Sequence, residues 1–128
     1  RESSAISICK DLLEEGAFLN IHDPRVDLNQ IEIDLNLNEH NSSNDDSVHN
    51  HNLEEGVWIY SKTIEEVFKS ADAVLILTEW EEYRNIDWAN MKNIMRNPTW
   101  IFDTRSILDA DEIKKTGLNL WRIGDGSK

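Results

Sequence analysis

Two short apolar runs, each ending in a polar cluster, limit the fold of this chain more than any other feature. Ala73–Leu77 runs into Thr78-Glu79-Trp80, and Thr99–Phe102 runs into Asp103-Thr104-Arg105. Neither run alternates apolar with polar residues, which suits strands of a parallel sheet buried on both faces. The polar residues that follow then lie at the carboxyl edge of the sheet, where open α/β folds bind ligands. An arginine at that edge is suited to clamp a phosphate or carboxylate.

The remaining segments extend this pattern. Ala5, Ile8, Cys9, Leu12 and Leu13 share a helical face, and Gly16 sits where a helix end favours glycine. Ala17–Ile21 reads as a strand closed by His22-Asp23-Pro24. Ile31, Ile33 and Leu35 alternate with polar residues, as in a half-exposed strand or extended edge segment. From Asn36 to Gly56 the composition shifts to Asn, Ser, Asp, Glu and His, as expected of a flexible insertion at 36–56 with little apolar area to pack. Val57–Tyr60 reads as a short returning strand.

Thr63 to Glu66 has the spacing of a capping box, opening a helix with Ile64, Val67 and Phe68 inward. Glu81–Asn85 reads as a helical turn. Asp87 is placed to cap a helix burying Trp88, Met91, Ile94 and Met95, and Asn97-Pro98 ends it. Asp109 and Glu112 repeat the cap pattern for a helix stopping at Gly117, and Leu118–Ile123 is the last strand. Strands alternating with helices predict an α/β, three-layer Rossmann-like domain with a mostly parallel sheet.

With 128 residues, the chain suffices for one domain with its own core. Acidic residues outnumber basic ones, 25 to 13, giving a formal net charge of −12. That excess argues against nucleic acid or an anionic membrane as partner. The single cysteine, Cys9, has no partner for an internal disulfide, which fits a reducing, cytoplasmic setting. No apolar run approaches transmembrane length. The chain opens on Arg1-Glu2-Ser3-Ser4 without an initiator methionine and reads as a piece of a longer protein.

Taken in order, these segments carry a resemblance. Arg1-Glu2-Ser3, the turn Leu12-Leu13-Glu14-Glu15-Gly16-Ala17, His22-Asp23-Pro24, Ala71-Asp72-Ala73-Val74, Thr78-Glu79-Trp80 and Phe102-Asp103-Thr104-Arg105 are the pieces. The set resembles the C-terminal, UDP-binding domain of the UDP-glucose 6-dehydrogenase family, covering nearly everything outside the insertion. Thr78-Glu79-Trp80 followed by Glu81-Glu82-Tyr83 is similar to the UDP-glucose branch. The resemblance implies a two-step oxidation of UDP-glucose to UDP-glucuronate with NAD as cofactor. It also implies an N-terminal domain for NAD, a central domain with a nucleophilic cysteine, and association of the full-length enzyme at least as a dimer. This chain has neither a Gly-x-Gly-x-x-Gly turn nor the glycine-rich segment around that cysteine, and Cys9 does not match it. The piece alone is therefore expected to be inactive.

Two site residues follow from the resemblance. Arg105 matches the arginine of the family's Phe-Asp-Gly-Arg motif, which contacts the UDP-sugar. Arg1 matches the arginine of Arg-Glu-Ser, which reaches toward the cofactor side. The family's UDP-contacting lysine precedes Arg-Glu-Ser and is not in this chain. Thr104 replaces the motif's glycine, and would strain the turn if that position needs positive φ.

Other residues have plainer explanations. Arg105 could simply pair with Asp103 or Asp109. Glu79 and Glu82 suit a solvated acidic turn better than an acid/base pair, and Trp80, Trp88, Trp100 and Trp121 suit core packing better than base stacking. His40, His49 and His51 lack the fixed spacing of a structural metal site, so none is expected. His22 reads as a strand-end residue facing water, Cys9 as a small buried hydrophobe. Asn41-Ser42-Ser43 has glycosylation spacing in a chain that otherwise looks intracellular. Two other functions remain open: dehydrogenation of a different nucleotide sugar such as UDP-N-acetylmannosamine, and a receiver-like signalling module. Asp103 and Thr78 imitate parts of a receiver, but its adjacent acidic pair and lysine are missing.

Overall fold

The computed structural model describes residues 4–40 and 56–123. Two compact units divide the chain, Arg1–Ile64 and Glu65–Lys128.

In the first unit, helix α1 (Ser4–Glu14) leads into strand β1 (Phe18–Ile21), helix α2 (Leu28–Leu35) and strand β2 (Val57–Tyr60). Gly16 ends α1 at φ 91, the left-handed conformation that glycine adopts without steric penalty. β1 and β2 pair in parallel, from Phe18 with Val57 to Ile21 with Tyr60. Gly56 is required where β2 begins, because a Cβ there would collide with the carbonyl oxygen of Ala17. Leu13, Ile31, Leu35 and Trp58 form the core of the unit. Trp58 is fully buried, and its indole N–H donates to the Leu37 carbonyl at 2.9 Å.

The Ile31-Ile33-Leu35 segment is helical, not the extended strand its alternation suggests. Asp27 caps α2 by accepting from the Gln30 N–H, and Asn36 closes it in the left-handed conformation at φ 56. Leu28, Ile31 and Leu35 fall at helical spacing; Ile31 and Leu35 are buried while Ile33 is 70% exposed. The cap and the core thus outweigh a short coincidental alternation.

The first residues of the Asn-rich tract are packed. The buried Glu39 accepts the Tyr60 N–H at 2.7 Å, and its own N–H donates to Glu32 at 3.0 Å. Residues 41–55, which hold most of the expected insertion, His49, His51 and Asn41-Ser42-Ser43, lie outside the described residues.

Helix α3 (Ile64–Phe68) spans the division between the units. The second unit continues through β3 (Ala73–Ile76), a 3-10 helix (Glu81–Asn85), α4 (Trp88–Ile94), β4 (Trp100–Asp103), α5 (Ala110–Lys115) and β5 (Asn119–Arg122). The strands are parallel in the order β3-β4-β5. Asp87 and Asp109 cap α4 and α5 as their spacing predicts. The fold is thus α/β and Rossmann-like, with its described strands in two parallel sheets.

β3 and β4 were expected to be buried on both faces, but their burial alternates. Val74, Ile76, Ile101 and Asp103 are buried, whereas Leu75, Trp100 and Trp121 remain 36%, 38% and 46% exposed. Successive right-handed crossovers that step the same way across a sheet put both connecting helices on one face. Trp88, Met91 and Ile113 of those helices are buried, as expected of side chains turned toward that face. Trp88 is therefore a core residue, edge-to-face on Phe68 at 5.7 Å, while Trp100 and Trp121 flank Phe102 on the other face.

Two measurements check this account. Ile31→Glu should destabilise the protein by about 3 kcal/mol or more, and Ile33→Glu by roughly 0.5 kcal/mol or less, in urea unfolding. Equal losses would favour the strand. Burial against the first core pushes the Cys9 thiol from 9.0 up to about 11, so the folded state binds the proton more tightly than the unfolded chain. Its contribution is complete below pH 9.0 and declines as pH rises toward 11. Stability curves of Cys9→Ala and the unmodified chain should diverge across that window, and parallel curves would contradict it.

Candidate functional site

The carboxyl ends of β3, β4 and β5 bring together residues that are distant in sequence. β3 gives way to Leu77-Thr78-Glu79-Trp80, β4 to the loop from Thr104 to Asp109, and β5 ends at Arg122. Asp103 organises this edge. Its side chain is wholly buried, one carboxyl oxygen accepting the Arg105 N–H at 3.0 Å and the other the Leu108 N–H at 2.9 Å. The Leu108 bond is buried, and leaving its donor without an acceptor would cost about 1–3 kcal/mol.

Further bonds shape the same loop. Thr104 donates both its N–H and its hydroxyl to the Ile76 carbonyl, at 3.1 and 2.8 Å, tying the loop to β3. Ser106 donates its hydroxyl to the Ile123 carbonyl at 2.8 Å, and the Ile123 N–H donates to the Asp103 carbonyl at 3.1 Å. From the 3-10 helix, Arg84 Nη1 donates to the Ile107 carbonyl at 3.2 Å. The positive φ of this loop falls at Ser106 (φ 57), not at Thr104. The strain considered for threonine in place of glycine is thus not realised, and its hydroxyl adds a bond that glycine could not make.

Arg105 stands on this clip. Its Nε and Nη2 both donate to Glu79 Oε2, at 3.1 and 2.9 Å. The guanidinium contacts neither Asp103, which takes its backbone N–H, nor Asp109, which caps α5. With side chains 40% and 56% exposed, the ion pair contributes about 0–1 kcal/mol. Its effect is orientation. Glu79 engages the Nε–Nη2 edge of the planar fork. Sequence reasoning treated Glu79 as a solvated turn residue; its place at the end of the adjacent strand was the signal that it could reach Arg105.

The other expected residues separate. Arg1 lies outside the described residues. His22 follows β1 directly and is half-buried, and Asp23 accepts the Arg25 N–H in a tight turn at 2.8 Å. Cys9 lies on α1, its thiol held neutral by burial, which suits packing and not nucleophilic attack. Among the described residues no group of three His, Cys, Asp or Glu side chains could hold a metal ion, and no helix is long and apolar enough to cross a membrane. Both oxygens of Asp103 are occupied by backbone donors, which removes the phosphoacceptor a receiver would need.

A hollow of about 500 Å³ lies at the amino side of the second unit, lined by Glu65, Glu66, Lys69, Ser70 and Ile94. Two glutamates and one lysine make a poor anion site, and no resemblance motif reaches it. The carboxyl edge, with a positioned arginine, is the better candidate.

Replacing Thr104 tests the loop geometry. Thr104→Gly should lower stability by about 0.5–1.5 kcal/mol in thermal unfolding, through a lost hydrogen bond and a more flexible chain. A gain in stability would show that threonine is strained there after all.

Residues 1–110 match the UDP-glucose/GDP-mannose dehydrogenase family, UDP binding domain. The chain is 36% identical over 124 residues to UDP-glucose 6-dehydrogenase of Drosophila melanogaster, covering 97% of this chain and 25% of that protein. It is 33% identical over 130 residues to UDP-glucose 6-dehydrogenase 2 of Oryza sativa subsp. japonica, covering 97% and 26%. It is 34% identical over 130 residues to UDP-glucose 6-dehydrogenase 1 of Glycine max, with the same coverage. The chain thus spans about a quarter of the length of the curated relatives it matches. With its parallel α/β units and its ordered motifs, it belongs to the UDP-glucose/GDP-mannose dehydrogenase family, as the UDP binding domain.

Proposed function

We propose that this chain grips the UDP portion of UDP-glucose within a longer, NAD-dependent dehydrogenase that oxidises UDP-glucose to UDP-glucuronate. The observation that carries the reading is Arg105, a motif arginine at the carboxyl edge of a parallel sheet, with one side of its fork fixed by Glu79. A planar, permanently charged guanidinium held this way matches the oxygens of a diphosphate. The named UDP-glucose 6-dehydrogenases that align with nearly the whole chain support the choice of sugar nucleotide.

The residues present do not fit NAD itself. A dinucleotide's pyrophosphate needs a glycine-rich strand-to-helix turn so that backbone can approach it closely. The turns after β1 (residues 22–27), β2 (61–63), β3 (77–87) and β4 (104–109) contain no glycine. NAD and the nucleophilic cysteine are accordingly assigned to other domains of the same polypeptide, with Arg1 reaching toward the cofactor side of the cleft. The whole of 1–128 then acts as one UDP-binding domain, inactive alone, in a cytoplasmic enzyme that is at least dimeric.

Titrating UDP into the 128-residue chain, followed by amide NMR shifts, tests the reading. Weak binding above the micromolar range is expected, because only part of the cleft is present, with shifts around Glu79, Thr104 and Arg105. Arg105→Ala should abolish them. Absence of shifts at that edge, or sub-micromolar affinity unaffected by Arg105→Ala, would overturn it. For the sugar, an assay of the intact enzyme with UDP-glucose against UDP-N-acetylmannosamine decides, and preference for the latter would reassign it.

A further inference from the structure

Arg122 is a second cation at the same sheet edge, and its setting is unusual. It is the last residue of β5, in register with Asp103 of β4, which in turn is in register with Ile76 of β3. Side chains in register across a parallel sheet share a face, so Arg122 lies on the covered face with the buried Ile76 and Asp103. A guanidinium remains charged at any physiological pH. In this position it needs acceptors or a counter-charge, because a buried ion without them is costly.

The described residues supply neither. Asp103 is the neighbouring acid, but its two oxygens already accept the N–H groups of Arg105 and Leu108. Among the described residues no carboxylate forms an ion pair with Arg122. Its Nε is closed off from solvent and has no hydrogen-bond partner. In a chain of net charge −12, a half-buried cation with no acid paired to it among the described residues is conspicuous.

The backbone brings Arg122 into the structure that carries Arg105. Ser106 donates to the Ile123 carbonyl at 2.8 Å, and the Ile123 N–H donates to the Asp103 carbonyl at 3.1 Å. The loop bearing Arg105 is thus stitched to the residue that follows Arg122. Two arginines stand at one edge of the sheet, and among the described residues Arg105 has a carboxylate, Glu79, to hold it while Arg122 has none.

We propose that Arg122 is a second phosphate contact, which together with Arg105 grips the diphosphate of the nucleotide and leaves the base alone. This rests on the reading of the edge as the UDP site and adds a residue to it, one that lies beyond the 1–110 span of the family match. The plainer alternative is a structural arginine that balances the charge of Asp103 across the strand.

Nitrogen-15 NMR of arginine side-chain Nε–Hε groups in the 128-residue chain separates these, with UDP, inorganic pyrophosphate and uridine as probes. Arg122→Lys, which removes the signal, assigns it. UDP and pyrophosphate should move the Nε–Hε resonances of both Arg105 and Arg122, and uridine should move neither. Arg122→Met should weaken UDP and pyrophosphate about tenfold or more while leaving uridine unchanged, as expected for loss of a charge-assisted contact. Arg122→Lys should recover part of that loss.

If UDP shifts Arg105 but not Arg122, and Arg122→Met binds UDP like the unmodified chain, the inference fails and the UDP site stands. If Arg122→Met loses UDP and uridine equally, its role is structural and the inference also fails. If neither arginine responds to UDP in the unmodified chain, the UDP reading of the edge falls with it.

Discussion

The candidate site depends on one buried carboxyl group. Asp103 ends β4 with no exposure to solvent, yet both of its oxygens are used by backbone donors of the loop that follows. A polar group is tolerated at such depth only when its hydrogen bonds are made internally. Those two bonds fold the chain back within a few residues, and Thr104 and Ser106 then tie it to the strands on either side. Arg105 leaves the sheet from this clip in a set direction. A flexible loop would have to order the arginine at the moment of binding; this one has ordered its backbone in advance.

The charge of the chain makes that arrangement informative. A protein with a formal net charge of −12 repels anions over most of its surface. Binding a diphosphate therefore requires cations placed close together where the local field can reverse. Arg105 stands at the edge of the second unit's sheet beside Glu79, which orients it without closing off the whole fork. If the edge holds a diphosphate as proposed, Glu79 would lower the net positive charge there but fix the geometry, a trade that favours selectivity over raw attraction.

Much of this was legible in the residues. The strands at Val57–Tyr60 and Ala73–Ile76, the caps at Asp87 and Asp109, and Gly16 as a helix end follow from apolar runs and short-range hydrogen bonding, which are local in sequence. Arg105 was singled out as a candidate from its place after an apolar run and from its motif. What was missed depends on contacts between segments far apart. Ile31, Ile33 and Leu35 alternate like a strand, and only the Asp27 cap and the side that meets Trp58 and Leu13 make them helical. Glu79 is an ordinary turn glutamate until β3 and β4 pair and bring it to Arg105. Arg122 lies inside the last expected strand, and nothing in the sequence distinguishes it; only its register with Asp103 does.

The central claim is that the edge built around Asp103 is where the diphosphate of a nucleotide sugar is held. A crystal structure of the chain grown with UDP addresses it most directly. The account requires diphosphate oxygens within hydrogen-bond distance of the Arg105 guanidinium, with Asp103 still accepting the N–H groups of Arg105 and Leu108. UDP bound elsewhere, or bound at this edge only after the Asp103 hydrogen bonds had broken, would contradict it.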